Sequence, residues 1–134
     1  MKNAKPGADV NPAVVFMSPL ALVLAAAGFA HAAGDAAAGK AAFSKCASCH
    51  NVGANAKSGF GPQLSGIIGR PAAAAKDYSY SDAMAKSGLV WNEKTLSAFM
   101  KSPSDTVPGT KMRFWGISDD KQIANLLAYL RSVQ

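Results

Sequence analysis

Two cysteines and a histidine stand together in the run Cys46-Ala47-Ser48-Cys49-His50. That spacing sets two thiols and an imidazole within about one turn of backbone. Both thiols can add to the vinyl groups of a single porphyrin, while the imidazole projects from the same turn to ligate its iron. The C-x-x-C-H pattern reads as covalent haem attachment, and His is a usual axial ligand. Competing chemistries lack parts. A tetrahedral zinc site needs four ligands, and the chain has no second C-x-x-C and no histidine downstream. A thioredoxin-like dithiol wants a βαβ context, which the flanking sequence does not offer. A Cys46–Cys49 disulfide would close too short a loop to constrain the unfolded chain much.

Residues 1–33 are expected to be a cleaved export signal, cut about Ala32 or Ala33. Lys2 and Lys5 give a positive start, an apolar run follows over 13–30, and Ala30-His31-Ala32 supplies small residues for a signal peptidase. The alternative is an uncleaved anchor, because the run approaches the roughly 20 apolar residues that span a bilayer. Cleavage fits better, since the folded domain (34–134) begins at once and leaves almost no linker. His31 departs with the signal, so His50 is the one remaining imidazole. A sixth ligand must then be sought among Met84, Met100 and Met112, and a His/Met pair raises the potential of the iron. Met100 falls inside an expected helix, where a core role is natural. Met84 sits in a short helix that can line a pocket. Met112 stands in the turn-forming run Pro108-Gly109-Thr110-Lys111-Met112, outside any helix. Spacing alone makes Met112 only the best of three.

The elements that must hold these groups are helical. Residues 35–45 read as an alanine-rich first helix with Gly39 and Phe43 on one face. Residues 81–86 form a short helix closed by Gly88. Asn92 caps a helix over 93–101, which Pro103 stops. In the last helix Ser118 is the expected cap, Asp119 and Asp120 complement the first turn, and Ile123, Leu126, Leu127 and Leu130 make the buried stripe. Leu126, Tyr129 and Leu130 are expected to pack on the Gly39/Phe43 face. Between 51 and 77 the chain is glycine, proline, alanine and small polar residues without sustained period. A structureless stretch of that length inside about 100 residues makes sense if its loops pack against a large apolar cofactor. No strand pattern, repeat or nucleic-acid motif competes.

From Gly34 onward the chain resembles the class I cytochromes c, closest to the mitochondrial type and its bacterial cytochrome c2 and c550 relatives. The matching pieces come in order: Gly34-Asp35, Gly39, Phe43, the CASCH run, Gly61-Pro62-Gln63-Leu64, Gly69-Arg70, Tyr78-Ser79-Tyr80-Ser81, Gly88-Leu89-Val90-Trp91, Pro108 to Met112, and Leu126 to Leu130. The resemblance implies an all-α fold of three to five helices and loops wrapped around one covalent haem c. It assigns Cys46 and Cys49 to the thioethers and His50 and Met112 to the iron. Pro62 would orient the imidazole through its carbonyl. Arg70, Tyr80 and Trp91 would surround the propionates, assisted by Tyr78 and Ser81. Thr110 would join the distal hydrogen bonds, and Phe114 would cover the haem edge. Phe99 stands where a tyrosine is usual and Met84 where an asparagine is common. Both departures imply a firmer, drier distal pocket and a displaced alkaline ligand exchange.

The function implied is a soluble periplasmic carrier of single electrons, monomeric and without an enzymatic activity. Its expected partners are a cytochrome bc1-type donor and a terminal oxidase or photosynthetic reaction-centre acceptor. Net charge is +6, and Lys45, Lys57, Lys111 and Lys121 are candidates for a positive ring around the haem edge, steering the carrier to acidic docking sites. A haem peroxidase or gas-binding module would need a labile sixth position. A thiol–disulfide oxidoreductase would need free thiols. Neither accounts for the Pro62 and Met112 segments.

Overall fold

An alanine-rich stretch becomes a helix here because Asp35 caps it. Its carboxylate accepts from the Ala37 and Ala38 N–H groups at 2.8 and 3.2 Å. The computed structural model describes residues 34–134, and the expected export segment lies outside the described residues. Helix α1 runs Ala36–Ala42 and then tightens into a 3-10 turn, Phe43–Lys45. The single helix expected over 35–45 is thus two, and the tighter turn delivers the chain into the cysteine run.

Four further helices follow among the described residues: α2 (Asp82–Ala85), α3 (Glu93–Lys101), α4 (Pro103–Thr106) and α5 (Asp120–Ser132). Ser81 caps α2 by accepting from the Met84 N–H at 3.1 Å. Asn92 and Thr95 exchange hydrogen bonds across the start of α3, both at 2.9 Å, the reciprocal arrangement of a capping box. Pro103 stops α3 as expected, yet it also opens α4, because a missing N–H and a fixed φ suit a first helical position. The cap of α5 is Asp119, not Ser118. Its carboxylate accepts from the Lys121 and Gln122 N–H groups at 2.8 and 3.1 Å, and its charge adds a favourable interaction with the helix dipole.

Helices α1 and α5 cross with their backbones in contact. A side chain at Gly39 would strike the Asn125 carbonyl, and one at Gly34 the Ala124 carbonyl. Asn125 reinforces the crossing by accepting from the Asp35 N–H at 2.8 Å. The Phe43 and Tyr129 rings meet beside it, centroids 5.4 Å apart. Leu126, 1% exposed, is the most buried large side chain; it and Leu130 also face the central cavity. The ion pairs Glu93–Arg131 and Lys101–Asp120 join α3 to α5.

From His50 to Tyr80 the chain contains turns and no helix; one isolated antiparallel bridge joins Pro71 to Val90. Side chains bonding to backbone hold this layer. The Ser58 hydroxyl and N–H both donate to Asp77, at 2.8 and 2.9 Å. The Ser65 hydroxyl exchanges bonds with Gly53 at 2.8 Å each way. The loop layer and the helices together line a central cavity.

Candidate functional site

His50 is placed by the turn that carries both cysteines. Its N–H donates to the Cys46 carbonyl at 2.9 Å, and its ring lies against Gly61. A Cβ at Gly61 would sit 2.5 to 2.9 Å from three atoms of the imidazole. Any side chain there would push the ring out of its place. The next residue supplies orientation: His50 Nδ1 is 2.7 Å from the Pro62 carbonyl oxygen. A carbonyl only accepts, so the proton is on Nδ1 and Nε2 keeps its lone pair. Burial lowers the His50 pKa below its ordinary value, opposed by the Pro62 bond, and the ring stays neutral near pH 7. A neutral imidazole with a fixed tautomer is a ready metal ligand.

Cys46 is half-buried and Cys49 exposed, and neither forms a disulfide. Burial, with the Cys49 charge adding to it, pushes the Cys46 thiol up from its ordinary value. A reactive dithiol needs the opposite, a depressed thiol pKa.

The cavity has a volume of about 400 Å³ and is lined mainly by apolar side chains. It brings together Cys46, Cys49, His50, Pro62, Arg70, Tyr78, Tyr80, Ser81, Trp91, Phe99, Thr110, Met112 and Phe114, every residue proposed for the site from the sequence. Met84 and Met100 line it as well, so the three candidate sulfurs share one wall set. They differ in mounting. Met84 and Met100 are fixed on helices, whereas Met112 rides an extended loop braced by its own N–H on Thr110 Oγ1 at 3.3 Å and by Lys111 Nζ on the Ser79 carbonyl at 3.0 Å.

The polar lining is one-sided. Lys45, Arg70, Lys111 and Arg113 border the cavity and no carboxylate side chain does, among the described residues. Two guanidinium N–H groups of Arg70 donate to the Ser65 and Gln63 carbonyls, at 3.1 and 2.6 Å, which aims the group. Burial lowers its pKa, but a guanidinium so far above neutrality remains charged. Trp91 is tied to Arg70 through backbone, its N–H donating to the Arg70 carbonyl at 2.9 Å. Its ring packs on Phe99 with centroids 5.1 Å apart. The Tyr80 hydroxyl accepts from the Ala75 N–H at 3.4 Å, leaving its own proton to donate. Desolvation raises its pKa, which keeps that proton on. Ser81 accepts from Met84 and likewise retains its proton. Tyr78 differs from the expectation: its hydroxyl donates to the Phe60 carbonyl at 3.0 Å, so its one proton is spent between two loops. Of the four lysines expected at the edge, Lys45 and Lys111 line the cavity, while Lys57 and Lys121 do not.

Three features escaped sequence reasoning. Arg113 was not among the basic residues singled out, Gly61 was matched without a reason, and Phe60 lines the mouth while 88% exposed. The Gly-Pro pair beside a lone histidine was the one available signal for Gly61.

The residues fit a covalent haem. Two thiols and an Nε2 lone pair converge on an apolar cavity, sulfur lines its wall, and N–H donors without a facing carboxylate border it, as an acidic macrocycle requires. Fold and site together define a small all-α protein of the class that tethers its porphyrin by a C-x-x-C-H turn. Residues 36–134 match the family described as Cytochrome c, and the chain belongs to that family. It is 49% identical over 100 residues to the cytochrome c2 of Agrobacterium tumefaciens, covering 72% of this chain and 90% of that protein. Identity to the cytochrome c-550 of Bradyrhizobium diazoefficiens is 47% over 95 residues, or 71% and 70% of the two chains. The solved structure of cytochrome cH from Methylobacterium extorquens superposes with a TM-score of 0.70 at 47% identity, over 74% of this chain and 99% of that one. The protein is an electron-carrying cytochrome c with a covalently bound haem c.

Proposed function

We propose that the chain is an exported, periplasmic shuttle for single electrons, with Cys46 and Cys49 as thioether anchors and His50 and Met112 as axial ligands. The observation that carries this reading is the Pro62–His50 bond over Gly61, in a cavity also lined by a sulfur-bearing loop braced at Thr110 and Lys111. Haem supplies the one-electron couple. The chain supplies a fixed imidazole tautomer, a loop that holds one sulfur, apolar walls that limit solvent reorganisation, and donors from Arg70, Trp91 and Tyr80 for the carboxylates of the macrocycle. Two ligands that stay in place let iron change charge with little rearrangement. Donors of the cytochrome bc1 type and a terminal oxidase or reaction centre as acceptor suit such a carrier. The basic border at Lys45, Lys111 and Arg113 supports an acidic docking site on each.

The far-red sulfur-to-iron charge-transfer absorption of the ferric holoprotein tests the ligand assignment. Met112→Leu abolishes it, while Met84→Leu and Met100→Leu retain it; a wild type without the band refutes His/Met ligation. Export is tested by sequencing the N-terminus of the purified periplasmic protein, where a start at about residue 33 or 34 is expected. No helix among the described residues is long and apolar enough to cross a membrane.

A further inference from the structure

The segment after Met112 alternates. Lys111, Arg113 and Trp115 are exposed, while Met112, Phe114 and Gly116 between them are half-buried. The three exposed side chains thus stand clear of the fold within five residues of one another. Trp115 is 103% exposed, as free as a tryptophan can be, and its position is not a frayed one. On one side Phe114 lines the cavity. On the other, Gly116 holds a left-handed φ of +98° with its α-carbon against the Lys101 carbonyl, and the N–H of buried Ile117 donates to the Met100 carbonyl at 2.9 Å. Both flanks are pinned, so the indole is presented rather than loose. Nothing in the fold gains from it: a full apolar ring in water costs solubility and no packing would be lost by its removal.

Tryptophan and arginine are the side chains most enriched among residues that dominate binding energy, and here they stand two positions apart. Their company selects the occupant. Lys111 and Arg113 precede Trp115 by four and two positions, and the acids that follow are committed, Asp119 to the cap of α5 and Asp120 to Lys101 at 2.6 Å. We propose that Trp115 is the apolar anchor by which the carrier seats on a protein partner, entering a pocket ringed by carboxylates that pair with Lys111 and Arg113. This rests on the electron-carrier reading and adds a specific claim to it: the contact is short-range and apolar at its centre, so docking persists when salt screens the lysines. Phe114, the next residue inward, lines the haem cavity, so a partner seated on Trp115 sits against the edge where electrons cross.

The test is the oxidation of reduced holoprotein by membranes of the parent organism, followed as rate against carrier concentration at low ionic strength and above about 0.15 M salt. Trp115→Ala is expected to raise KM about tenfold at both salt levels with kcat held, and Trp115→Phe to recover most of that loss. Lys111→Ala raises KM only at low salt. Since Trp115 packs on nothing, the absorption spectrum and potential of the two Trp115 variants stay those of the wild type. A Trp115→Ala KM within twofold of wild type overturns the anchor while the carrier reading stands, and so does a loss that vanishes in salt. A wild type that the membranes do not oxidise overturns both. Two other outcomes also refute the proposal. One is Trp115-dependent sedimentation with protein-free phosphatidylglycerol vesicles, which makes the partner a lipid surface. The other is a Trp115-dependent dimer in analytical ultracentrifugation, which makes it a second copy.

Discussion

The α1/α5 crossing and the loop layer over residues 51–81 hold opposite sides of one cavity by opposite means. At the crossing, backbone meets backbone: Gly34 and Gly39 lie on the carbonyls of Ala124 and Asn125, and the α5 stripe supplies Ile123, Leu126, Leu127 and Leu130 to the core. In the loop layer only Ile67 and Gly61 are buried, and order comes from side chains that stand in for a hydrogen-bond ladder. Helix packing of the first kind is specified by shape and needs no ligand. The second kind leaves its apolar residues facing the cavity, so its stability is coupled to what the cavity holds. One fold thus contains a half packed backbone to backbone and a half held mainly by side-chain hydrogen bonds, and both contribute walls to the cavity.

Breaking the first half has the largest effect. Gly39→Ala places a methyl group in the Asn125 carbonyl, which no rotamer change relieves, so the helices must separate. Overpacking against rigid surroundings costs about 3 kcal/mol, or roughly 15 °C in the melting temperature of a domain this size. Thermal denaturation of the holoprotein, followed at 222 nm, checks it. A melting point within a few degrees of wild type means the crossing is not shape-specified. Gly61→Ala acts next in order and differently: the methyl meets a side-chain ring, which can tilt at the expense of its Pro62 bond. A loss of about 1–2 kcal/mol is expected, accompanied by a changed Soret spectrum and potential. Gly39→Ala leaves the potential alone in whatever fraction remains folded. If both glycines move the potential equally, the two halves are not separable.

The loop layer predicts a pH response. Hydrogen bonds from the Ser58 N–H and hydroxyl lower the pKa of the exposed Asp77 carboxylate from its ordinary value. A folded pKa below the unfolded one contributes stability that is present above the unfolded value and lost as pH falls through the folded value. The amides of Ser58 and Gln63, the latter donating to Ser58 Oγ at 3.0 Å, should therefore lose protection several-fold, relative to their intrinsic exchange rates, at acid pH and in Asp77→Asn at neutral pH. Amides of α1 and α5 should stay slow in both. Equal acceleration in the helices would mean that the clasp supports the whole domain.

How much of this was legible depends on whether the cause lies nearby in the chain. The cap at Asn92 and the stop at Pro103 act over three or four residues, and the sequence shows them; Ser81, read as part of its helix, turns out to be the cap. Choosing Ser118 over Asp119 missed by one position, because both residues suit a cap and only tertiary placement decides. The tightening at Phe43 and the restart at Pro103 are likewise set by packing. Ser58–Asp77 and Lys111–Ser79 join residues 19 and 32 apart across loops without period, and no local pattern announces them. At the site, the C-x-x-C-H run was readable from chemistry alone. Arg70, Trp91 and Thr110 came through the family resemblance. Trp115 drew no notice at all, since exposure is a property of the fold.

The smallest expected effect tests the border between the halves. Phe99, 9% exposed, and Met84, 7% exposed, face the cavity, where a tyrosine and an asparagine would have brought polar groups. No polar or charged residue is fully buried anywhere among the described residues, so the wall at these two positions is apolar. Phe99→Tyr adds one hydroxyl beside the cavity wall shared by Met100 and Trp91. A hydroxyl there favours the more highly charged ferric state and admits solvent, so the potential should fall, by less than about 59 mV, and alkaline loss of the proposed Met112 ligand should begin at lower pH. Spectroelectrochemistry and a far-red pH titration of the ferric protein read both. Unchanged values would mean that the dryness of the wall does not tune the iron, and that firmness comes instead from the loop that Lys111 ties to Ser79.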